Sequence, residues 1–409
     1  MGFGRSMINI RNYLKEKEKR KSTNRSVDYK ERIRSHKLSI FYRAALGIFL
    51  AVVLVAFLII HWKNKVFTDS VIADTAPITV VQGAVVENLD GYVLLYSKDG
   101  ASCLDTKGQA VWNRTYEMQT PLLSVSGQTA AIGDYNGRSI YVVDKAGERG
   151  VVNTNLPIRN LCVSENGVVA AVLDDANTIR INVYNGNENT ENAIVNAKAR
   201  MDKSGYPVSI SLSTNGKLMA VSYLYVDSGN MKSSVAFYNF GEVGQNKADN
   251  YVSGYDYLNT VVPFVRFMDN DSSFAVSDDR IVFFAGAEVP TNIATKFLEE
   301  EVQSIYYDEN YVGLVFHNAS GEGAYRLDVY DSAGNKAGSL FFDIEYTDII
   351  FNKDQVIIYS DKECQISSIK GVSKFLGSFE KNTSLLIPTN SAYRYMAVTS
   401  DSIDTIELK

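Results

Sequence analysis

The chain has 409 residues, with 41 Lys and Arg against 47 Asp and Glu, for a net charge of −6. Three cysteines are too few for a disulfide scaffold or a cysteine-rich zinc module. Three histidines leave little room for a histidine-based metal or catalytic site.

The charges are divided unevenly along the chain. Residues 1–43 carry 13 basic and 4 acidic side chains, a net charge of +9, whereas residues 44–409 carry 28 and 43, a net charge of −15. A basic segment attached to an acidic one indicates a membrane or nucleic-acid partner for the basic part. The long acidic part argues against nucleic acid, because a phosphate backbone needs a basic face.

Residues 1–40 form a basic tail whose segment 11–21 has a helical, highly charged sequence. The tail is polar all round and cannot bury a core. Two interpretations stay open. The tail either docks on anionic lipid or a cytoplasmic partner, or serves only to orient the chain in the membrane.

Residues 41–62 predict one transmembrane helix. The stretch 44–60 has no polar side chain, and the flanking residues extend it to about 20 residues, the length that spans a bilayer core. Tyr42 and Trp62 lie where interfacial aromatic side chains are common. A buried core helix is the alternative, but a helix in a soluble protein needs some polar face.

The flanking charges predict the orientation. Positive charge stays in the cytoplasm, so we expect the N-terminus inside and the region after the helix outside a cell membrane. A cleaved signal peptide is the competing interpretation. The 43-residue basic segment is too long for one, and the cleavage-like residues 71–73 lie about ten residues past the apolar run.

Residues 63–76 are predicted to be a linker, and residues 77–409 a β-propeller. Short apolar stretches separated by Gly, Asn, Asp and Ser turns predict strands. Eight such units begin near residues 83, 122, 158, 208, 261, 302, 346 and 384. This period of about 41 residues is typical of a four-stranded propeller blade. The sequence therefore predicts an all-β, closed eight-bladed propeller, with seven blades as the alternative.

The two ends of the repeat region predict how the ring closes. The last unit supplies only three strands before the chain stops, the final one at 403–408. The segment 77–81 is the candidate for the fourth. Pairing between these two segments would leave no unpaired sheet edge.

One repeat turn carries a family resemblance. The stretch 103–112 runs from an apolar strand into Asp105, through a turn with Gly108, to an apolar strand ending in Trp112. Residues 143–147 and 329–334 repeat the turn without the Trp. The chain resembles bacterial single-pass membrane-anchored proteins with an extracytoplasmic WD40-like or quinoprotein-like propeller, many of unknown function.

The resemblance transfers no site residue. Quinone-dependent dehydrogenases of this kind show a vicinal cysteine pair and a calcium site, whereas Cys103, Cys162 and Cys364 are far apart in the sequence. The Trp-Asp repeat of WD40 domains is also absent. We therefore predict no catalytic, cofactor-binding or metal-binding residue and no cofactor, and we expect the three cysteines to be buried free thiols.

Other polar groups have an ordinary structural explanation. The stretch 268–273 could offer oxygen ligands to calcium, but an Asx-rich turn explains it equally. Acidic residues 278–279 and 299–301 could form a carboxylate pair, but we expect solvated turns. His317, at a predicted strand end, is expected to be structural or exposed.

Two classes of function remain. The first is a surface-tethered binding or scaffold module for an extracytoplasmic protein, peptide or cell-envelope glycan, anchored to the bilayer through residues 41–62. The second is an anchored envelope hydrolase or lyase with its site in the propeller channel. Clustered channel carboxylates with raised pKa values would favour the enzyme.

Overall fold

The computed structural model describes residues 6–63, 65–176, 178–199, 205–227, 229–319, 321–391 and 393–409. The chain divides into two compact units, Met1–Lys65 and Val66–Lys409. The first is helical and the second is built mainly from strands.

The N-terminal unit contains one helix, α1 (Ser6–Lys63). Within it, Arg32–Leu58 is long and apolar enough to cross a membrane, and the described chain buries none of it. Large apolar side chains such as Leu46, Phe49 and Leu54 are about 60% exposed. Length and composition of this kind fit a membrane span, and also fit a signal sequence.

The second unit contains eight four-stranded antiparallel sheets, numbered here in chain order. Sheets 1 to 4 comprise β2 (Val85–Leu89), β3 (Tyr92–Tyr96), β4 (Gly100–Leu104), β5 (Ala110–Thr115); β6 (Pro121–Ser126), β7 (Thr129–Asp134), β8 (Ser139–Asp144), β9 (Gly147–Asn153); β10 (Ile158–Val163), β11 (Val168–Asp175), β12 (Thr178–Asn185), β13 (Val195–Ala199); and β14 (Tyr206–Leu212), β15 (Leu218–Asp227), β16 (Asn230–Asn239), β17 (Tyr251–Leu258).

Sheets 5 to 8 follow the same order, except that sheet 8 takes its fourth strand from the beginning of the unit. They comprise β18 (Phe264–Phe267), β19 (Ser272–Val276), β20 (Arg280–Ala285), β21 (Thr291–Phe297); β22 (Ser304–Tyr307), β23 (Tyr311–His317), β24 (Tyr325–Asp331), β25 (Lys336–Phe342); β26 (Asp348–Asn352), β27 (Gln355–Tyr359), β28 (Glu363–Ser368), β29 (Ser373–Ser378); and β30 (Leu385–Pro388), β31 (Arg394–Val398), β32 (Ser402–Leu408) with β1 (Ser70–Pro77).

The fold is therefore the predicted eight-bladed propeller. Each predicted unit begins within three residues of the first strand of a sheet. The long fourth unit has a physical explanation: β15 and β16 are ten residues each, and α2 (Glu242–Gln245) and a 3₁₀ turn (Ala248–Asn250) follow them.

Eight clusters of buried apolar side chains join the sheets, and each cluster is built from two neighbouring sheets. Sheet 8 takes part in two of them. Its Ile406 packs with Ile366 of sheet 7, and its Ile403 packs with Val93 of sheet 1. A blade cannot bury both of its faces alone, so this packing supplies the core of the propeller.

The N-terminal strand of sheet 8 differs from its predicted position. The N-terminal segment does pair with the last strand, but β1 covers Ser70–Pro77, with Ser70 opposite Leu408 and Pro77 opposite Ser402. The prediction that residues 77–81 form this strand was therefore wrong except for Pro77, and β1 occupies much of the predicted linker 63–76. Ile78 and Val80 instead pack against the apolar cluster between sheets 8 and 1. Their N–H groups donate to the carbonyl oxygens of Asp401 (2.9 Å) and Ser400 (3.3 Å), just before β32, and their apolar side chains reflect burial.

The turn behind the family resemblance connects the third and fourth strands of a sheet. In sheet 1, Asp105 Oδ1 accepts hydrogen bonds from the N–H groups of Lys107 (2.9 Å) and Gln109 (2.9 Å). Gly108 has φ +73°, a conformation that favours glycine. Trp112 donates from Nε1 to the carbonyl oxygen of Asp144 in sheet 2 (2.8 Å). This turn therefore serves folding and sheet packing.

Candidate functional site in the channel

The first strand of each sheet lies innermost. Contacts join β6 to β10, β10 to β14, β14 to β18, β22 to β26, and β2 to β30. These inner strands surround a central channel. Between β6, β10, β14, β18 and residues 307–309 lies a cavity of about 380 Å³, which we call the channel cavity. Its volume is at the lower end of the range for ligand sites.

Small polar side chains on the cavity wall bind the backbone of the next inner strand. Ser124 Oγ accepts a hydrogen bond from the N–H of Val163 (3.1 Å), and Ser211 Oγ accepts one from the N–H of Phe267 (3.0 Å). Inner strands converge toward the axis, so short hydroxyl side chains allow their close approach. Because each hydroxyl accepts in these bonds, its own hydrogen remains available to donate.

Asn160, on β10, also lines the cavity. Its Oδ1 accepts a hydrogen bond from the N–H of Leu161 (2.8 Å). The Nδ2 group donates to no group that the structure describes. Together with the two serine hydroxyls, this amide gives the wall hydrogen-bond donors from three consecutive sheets.

Arg266, on β18, supplies positive charge to the cavity. Its Nη1 donates to Ser209 Oγ (3.3 Å) and to the carbonyl oxygens of Ile210 (3.0 Å) and Val265 (2.9 Å). The guanidinium also lies over the ring of Phe264, with 4.7 Å from Cζ to the centroid. These contacts fix the orientation of the guanidinium.

The rim of the cavity, defined by Glu165, Thr214, Asp308 and Glu309, consists of turns that follow the inner strands. Asp308 Oδ1 accepts hydrogen bonds from the N–H groups of Asn310 (2.8 Å) and Tyr311 (2.7 Å). Burial raises the pKa of Asp308 above its usual value. The rim therefore bears carboxylates, in contrast to the donor-rich wall.

Hydrogen bonds between sheets hold the rim in place. The N–H of Glu165 donates to the carbonyl oxygen of Thr214 (3.1 Å). Asn166 Nδ2 donates to the carbonyl oxygen of Asn215 (2.6 Å), and the N–H of Asn215 donates to Asn270 Oδ1 (2.8 Å). The chain of bonds crosses sheets 3, 4 and 5, so the rim turns of sheets 3 and 4 are fixed relative to each other and to the turn of sheet 5 at Asn270.

The stretch 268–273, considered above for calcium, forms one of these turns. Asp269 Oδ1 accepts hydrogen bonds from the N–H groups of Asp271 (2.9 Å) and Ser272 (2.6 Å). This is an Asx turn, the structural alternative predicted for the stretch. No group of three or more His, Cys, Asp or Glu among the residues that the structure describes could hold a metal ion.

Two of the other acidic candidates, Asp279 and Glu300, pair with arginine. Asp279 binds Arg280 through the two oxygens of its carboxylate, and this bond lowers the pKa of Asp279. Glu300 Oε1 accepts a hydrogen bond from Arg326 Nη1 (3.0 Å). His317 is exposed and stacks on Tyr325, with 5.5 Å between ring centroids. These contacts are structural.

The three cysteines are buried free thiols, as predicted. Cys103, Cys162 and Cys364 lie on sheets 1, 3 and 7. Burial raises the pKa of Cys103 to about 11 and the pKa of Cys162 and Cys364 to about 12. Neutral thiols are poor nucleophiles, so Cys162 is inert although it lines the channel cavity.

Two inner-strand carboxylates were missed by sequence reasoning. Glu87 lies on β2 and Asp348 begins β26, on either side of β30. Burial raises the pKa of both groups, and repulsion from Asp348 raises the pKa of Glu87 further. The hydroxyl of Tyr359 donates to Asp348 Oδ2 (3.4 Å). Glu87 and Asp348 are 261 residues apart in the sequence, so only the folded structure reveals the pair.

Two similar solved structures match this chain over nearly their whole length but are distant in sequence. BamB from Moraxella catarrhalis is 12% identical, over 83% of this chain and 100% of that chain, with a TM-score of 0.49. Hsv2p from Kluyveromyces lactis is 12% identical, over 74% and 99%, with a TM-score of 0.46. At identities this low, the function of these proteins cannot be assigned to the chain.

Comparison with curated proteins finds no match. A family model matches residues 63–408, which include all eight sheets. The chain therefore belongs to the family of unknown function DUF5711.

Proposed function

We propose that the protein is a membrane-anchored, extracytoplasmic β-propeller that binds a segment of a partner protein in the channel cavity. The observation that carries the proposal is the cavity itself. Five inner strands build a concave site of about 380 Å³ whose wall presents side-chain donors and whose rim presents carboxylates. Concave sites with a few directed polar groups are typical binding sites.

The anchor and its orientation rest on charge and hydropathy. The 17 uncharged residues 44–60 follow a segment of net charge +9 and precede a region of net charge −15. Positive charge remains on the cytoplasmic side of a membrane helix. This pattern supports a cytoplasmic N-terminus and an extracytoplasmic propeller.

The chemistry of the cavity wall supports binding. Ser124 and Ser211 bind backbone N–H groups, and no described histidine or carboxylate forms a hydrogen bond to either hydroxyl. Nucleophilic catalysis by a hydroxyl needs such a base. The Cys162 thiol has its pKa raised to about 12, so it is not a thiolate nucleophile at neutral pH.

A protein segment fits the site better than a glycan. The cavity combines a guanidinium, hydroxyl and amide donors, rim carboxylates and the aromatic ring of Tyr307, which is 41% exposed. Charged groups of both signs complement the mixed charges of a polypeptide. The volume accommodates a few residues of an extended chain.

Photo-crosslinking in cells tests the proposal. The full chain carries p-benzoylphenylalanine in place of Tyr307 at the cavity, or in place of Leu376 on β29, which is 64% exposed. We expect one discrete protein adduct from position 307 and none of that mass from position 376. Ser126→Trp, which fills the cavity, should remove the adduct from position 307.

Two results would contradict the proposal: the same adduct from both positions, or an adduct from position 307 that survives Ser126→Trp. Mass spectrometry of the adduct distinguishes a peptide from a glycan, and a glycan adduct would refute the protein partner. Unchanged thermal unfolding of the Ser126→Trp chain provides the control for folding.

Glu87 and Asp348 favour a second candidate function, an envelope hydrolase or lyase that uses this pair for acid–base chemistry. Carboxyl groups with raised pKa values can act as general acids near neutral pH. Purified full-length protein incubated with cell-envelope polymer tests this function. Release of fragments by the parent chain and not by Glu87→Gln would support an enzyme, and equal release by both would exclude the pair.

A further inference from the structure

Arg266 differs from most arginines of the propeller because no described carboxylate pairs with it. Seven others form ion pairs with Asp or Glu: Arg114, Arg149, Arg159, Arg180, Arg280, Arg326 and Arg394. Arg266 is half-buried and lines the channel cavity. A partly buried charge without a counterion is costly, so this position favours an anionic ligand.

The guanidinium is held with part of its donor set unused. Nη1 donates to three oxygens of the wall, whereas Nε and Nη2 donate to no described group. The stacking on Phe264 fixes the plane of the guanidinium. A fixed guanidinium with free N–H groups suits the geometry of a carboxylate or phosphate oxygen pair.

Donors from three other strands line the same cavity. Ser124, Asn160 and Ser211 each use an oxygen to accept from a backbone N–H, which leaves the hydroxyl hydrogens and the Asn160 amide to donate. These side chains and Arg266 come from four consecutive sheets. The wall therefore offers one positive charge and several neutral donors.

The rim limits the charge of the ligand. Glu165, Asp308 and Glu309 also line the cavity, and their carboxylates repel an approaching polyanion. A singly charged carboxylate followed by neutral or basic residues satisfies both the wall and the rim. A phosphate dianion would meet more repulsion with the same single cation.

We infer that Arg266 anchors one carboxylate of the bound protein segment, with Ser124, Asn160 and Ser211 as neutral donors around it and the rim facing basic residues of the segment. The inference rests on the proposed function, because it names the chemistry of the segment that enters the cavity. The carboxylate belongs either to a chain terminus or to an Asp or Glu side chain, and both offer the same pair of oxygens.

Binding of small probes to the detergent-solubilised full chain tests the inference. The probes are N-acetyl-Lys-Ala with a free terminal carboxylate, the corresponding amide, N-acetyl-Lys-Asp-Ala-amide with a side-chain carboxylate only, and inorganic phosphate. Ligand-observed NMR titration measures each Kd. We expect at least one carboxylate probe to bind about tenfold or more tightly than the amide, and more tightly than phosphate.

Variants assign the effect to the residue. Arg266→Gln should abolish the preference for the carboxylate. Arg180 pairs with Asp175 outside the cavity, so Arg180→Gln should keep the preference for the carboxylate. Asn160→Ala leaves Arg266 in place and should weaken the carboxylate probe severalfold, which provides a second test if Arg266→Gln does not fold. Thermal unfolding confirms that each variant is folded.

Three outcomes would overturn the inference: equal binding of carboxylate and amide, an unchanged preference in Arg266→Gln, or tighter binding of phosphate. Absence of binding by every probe at millimolar concentration would also overturn it. The photo-crosslink from position 307 separates these failures from failure of the proposed function. If the adduct persists in Arg266→Gln, the proposal of a protein partner stands and only the inferred carboxylate contact fails.

Discussion

Sheet 8 offers the sharpest stability test because it contains both ends of the propeller. Its strand β32 carries Ile403, which is 2% exposed and faces sheet 1, and Ile406, which is 7% exposed and faces sheet 7. Replacement of a buried Ile by Ala costs about 2–5 kcal/mol, from lost transfer free energy and the cavity that remains. We expect both Ile403→Ala and Ile406→Ala to lower the free energy of unfolding by about this amount.

The assay follows equilibrium urea unfolding with two signals. Circular dichroism reports on all strands, and the fluorescence of Trp112 reports on sheets 1 and 2, since its Nε1 binds the carbonyl oxygen of Asp144. Trp62→Phe in every protein removes the other tryptophan. If the sheets support one another around the ring, both variants shift the Trp112 midpoint and the two signals stay coincident.

Leu376→Ala is the matched control, because this side chain is 64% exposed on β29. A surface substitution of this kind should change the free energy of unfolding by less than about 0.5 kcal/mol. An early transition in circular dichroism with an unchanged Trp112 midpoint would mean that sheet 8 unfolds separately from sheets 1 and 2, and would contradict mutual support around the ring.

Three further predictions follow from charge and burial. In intact cells without an outer permeability barrier, an impermeant maleimide should label Gln128→Cys and not Lys15→Cys; labelling of Lys15→Cys would contradict the orientation. Iodoacetamide at pH 8 should modify none of the three native cysteines and all three after unfolding, because burial raises the pKa of each thiol. Glu87→Gln should raise the unfolding midpoint at pH 7 and have less effect at pH 4. Burial raises the folded-state pKa of Glu87 above 4.5, so the parent protein loses stability as pH rises from about 4.5. An unfolding midpoint of Glu87→Gln that lies equally far below the parent's at both pH values would contradict this.

The repeat pattern predicted the blades well because strand and turn signals are local. The turn with Asp105 and Gly108 needs a side-chain acceptor and a positive φ within four residues, and such requirements are visible in a single sequence. Eight repeats of local structure then determine the ring.

The closing strand was misplaced because its partner is distant. The segment 77–81 was predicted because it lies just before the first full unit, yet the ladder with β32 runs from Ser70 to Pro77. Cross-strand pairing, rather than composition, selects the register. Ile78 and Val80 are apolar because they cover the cluster beside that ladder.

The channel cavity was not predictable from the sequence for the same reason. Ser124, Asn160, Ser211 and Arg266 are 36 to 55 residues apart, and each is unremarkable in its own strand. They also occupy different places in their strands: Ser124 is the fourth residue of β6, whereas Ser211 is the sixth residue of β14. Only the packing of consecutive inner strands around the channel brings the four side chains to one cavity.

Hydrogen exchange of the full chain shows whether the channel cavity is the binding site. The crosslinked partner provides the bound state and the protein stripped of it the free state. If the partner binds in the cavity, segments 123–128, 160–166 and 210–215 should gain protection, and the outer strands β5 and β29 should gain none. Protection confined to the outer strands, with unchanged exchange in those three segments, would contradict it.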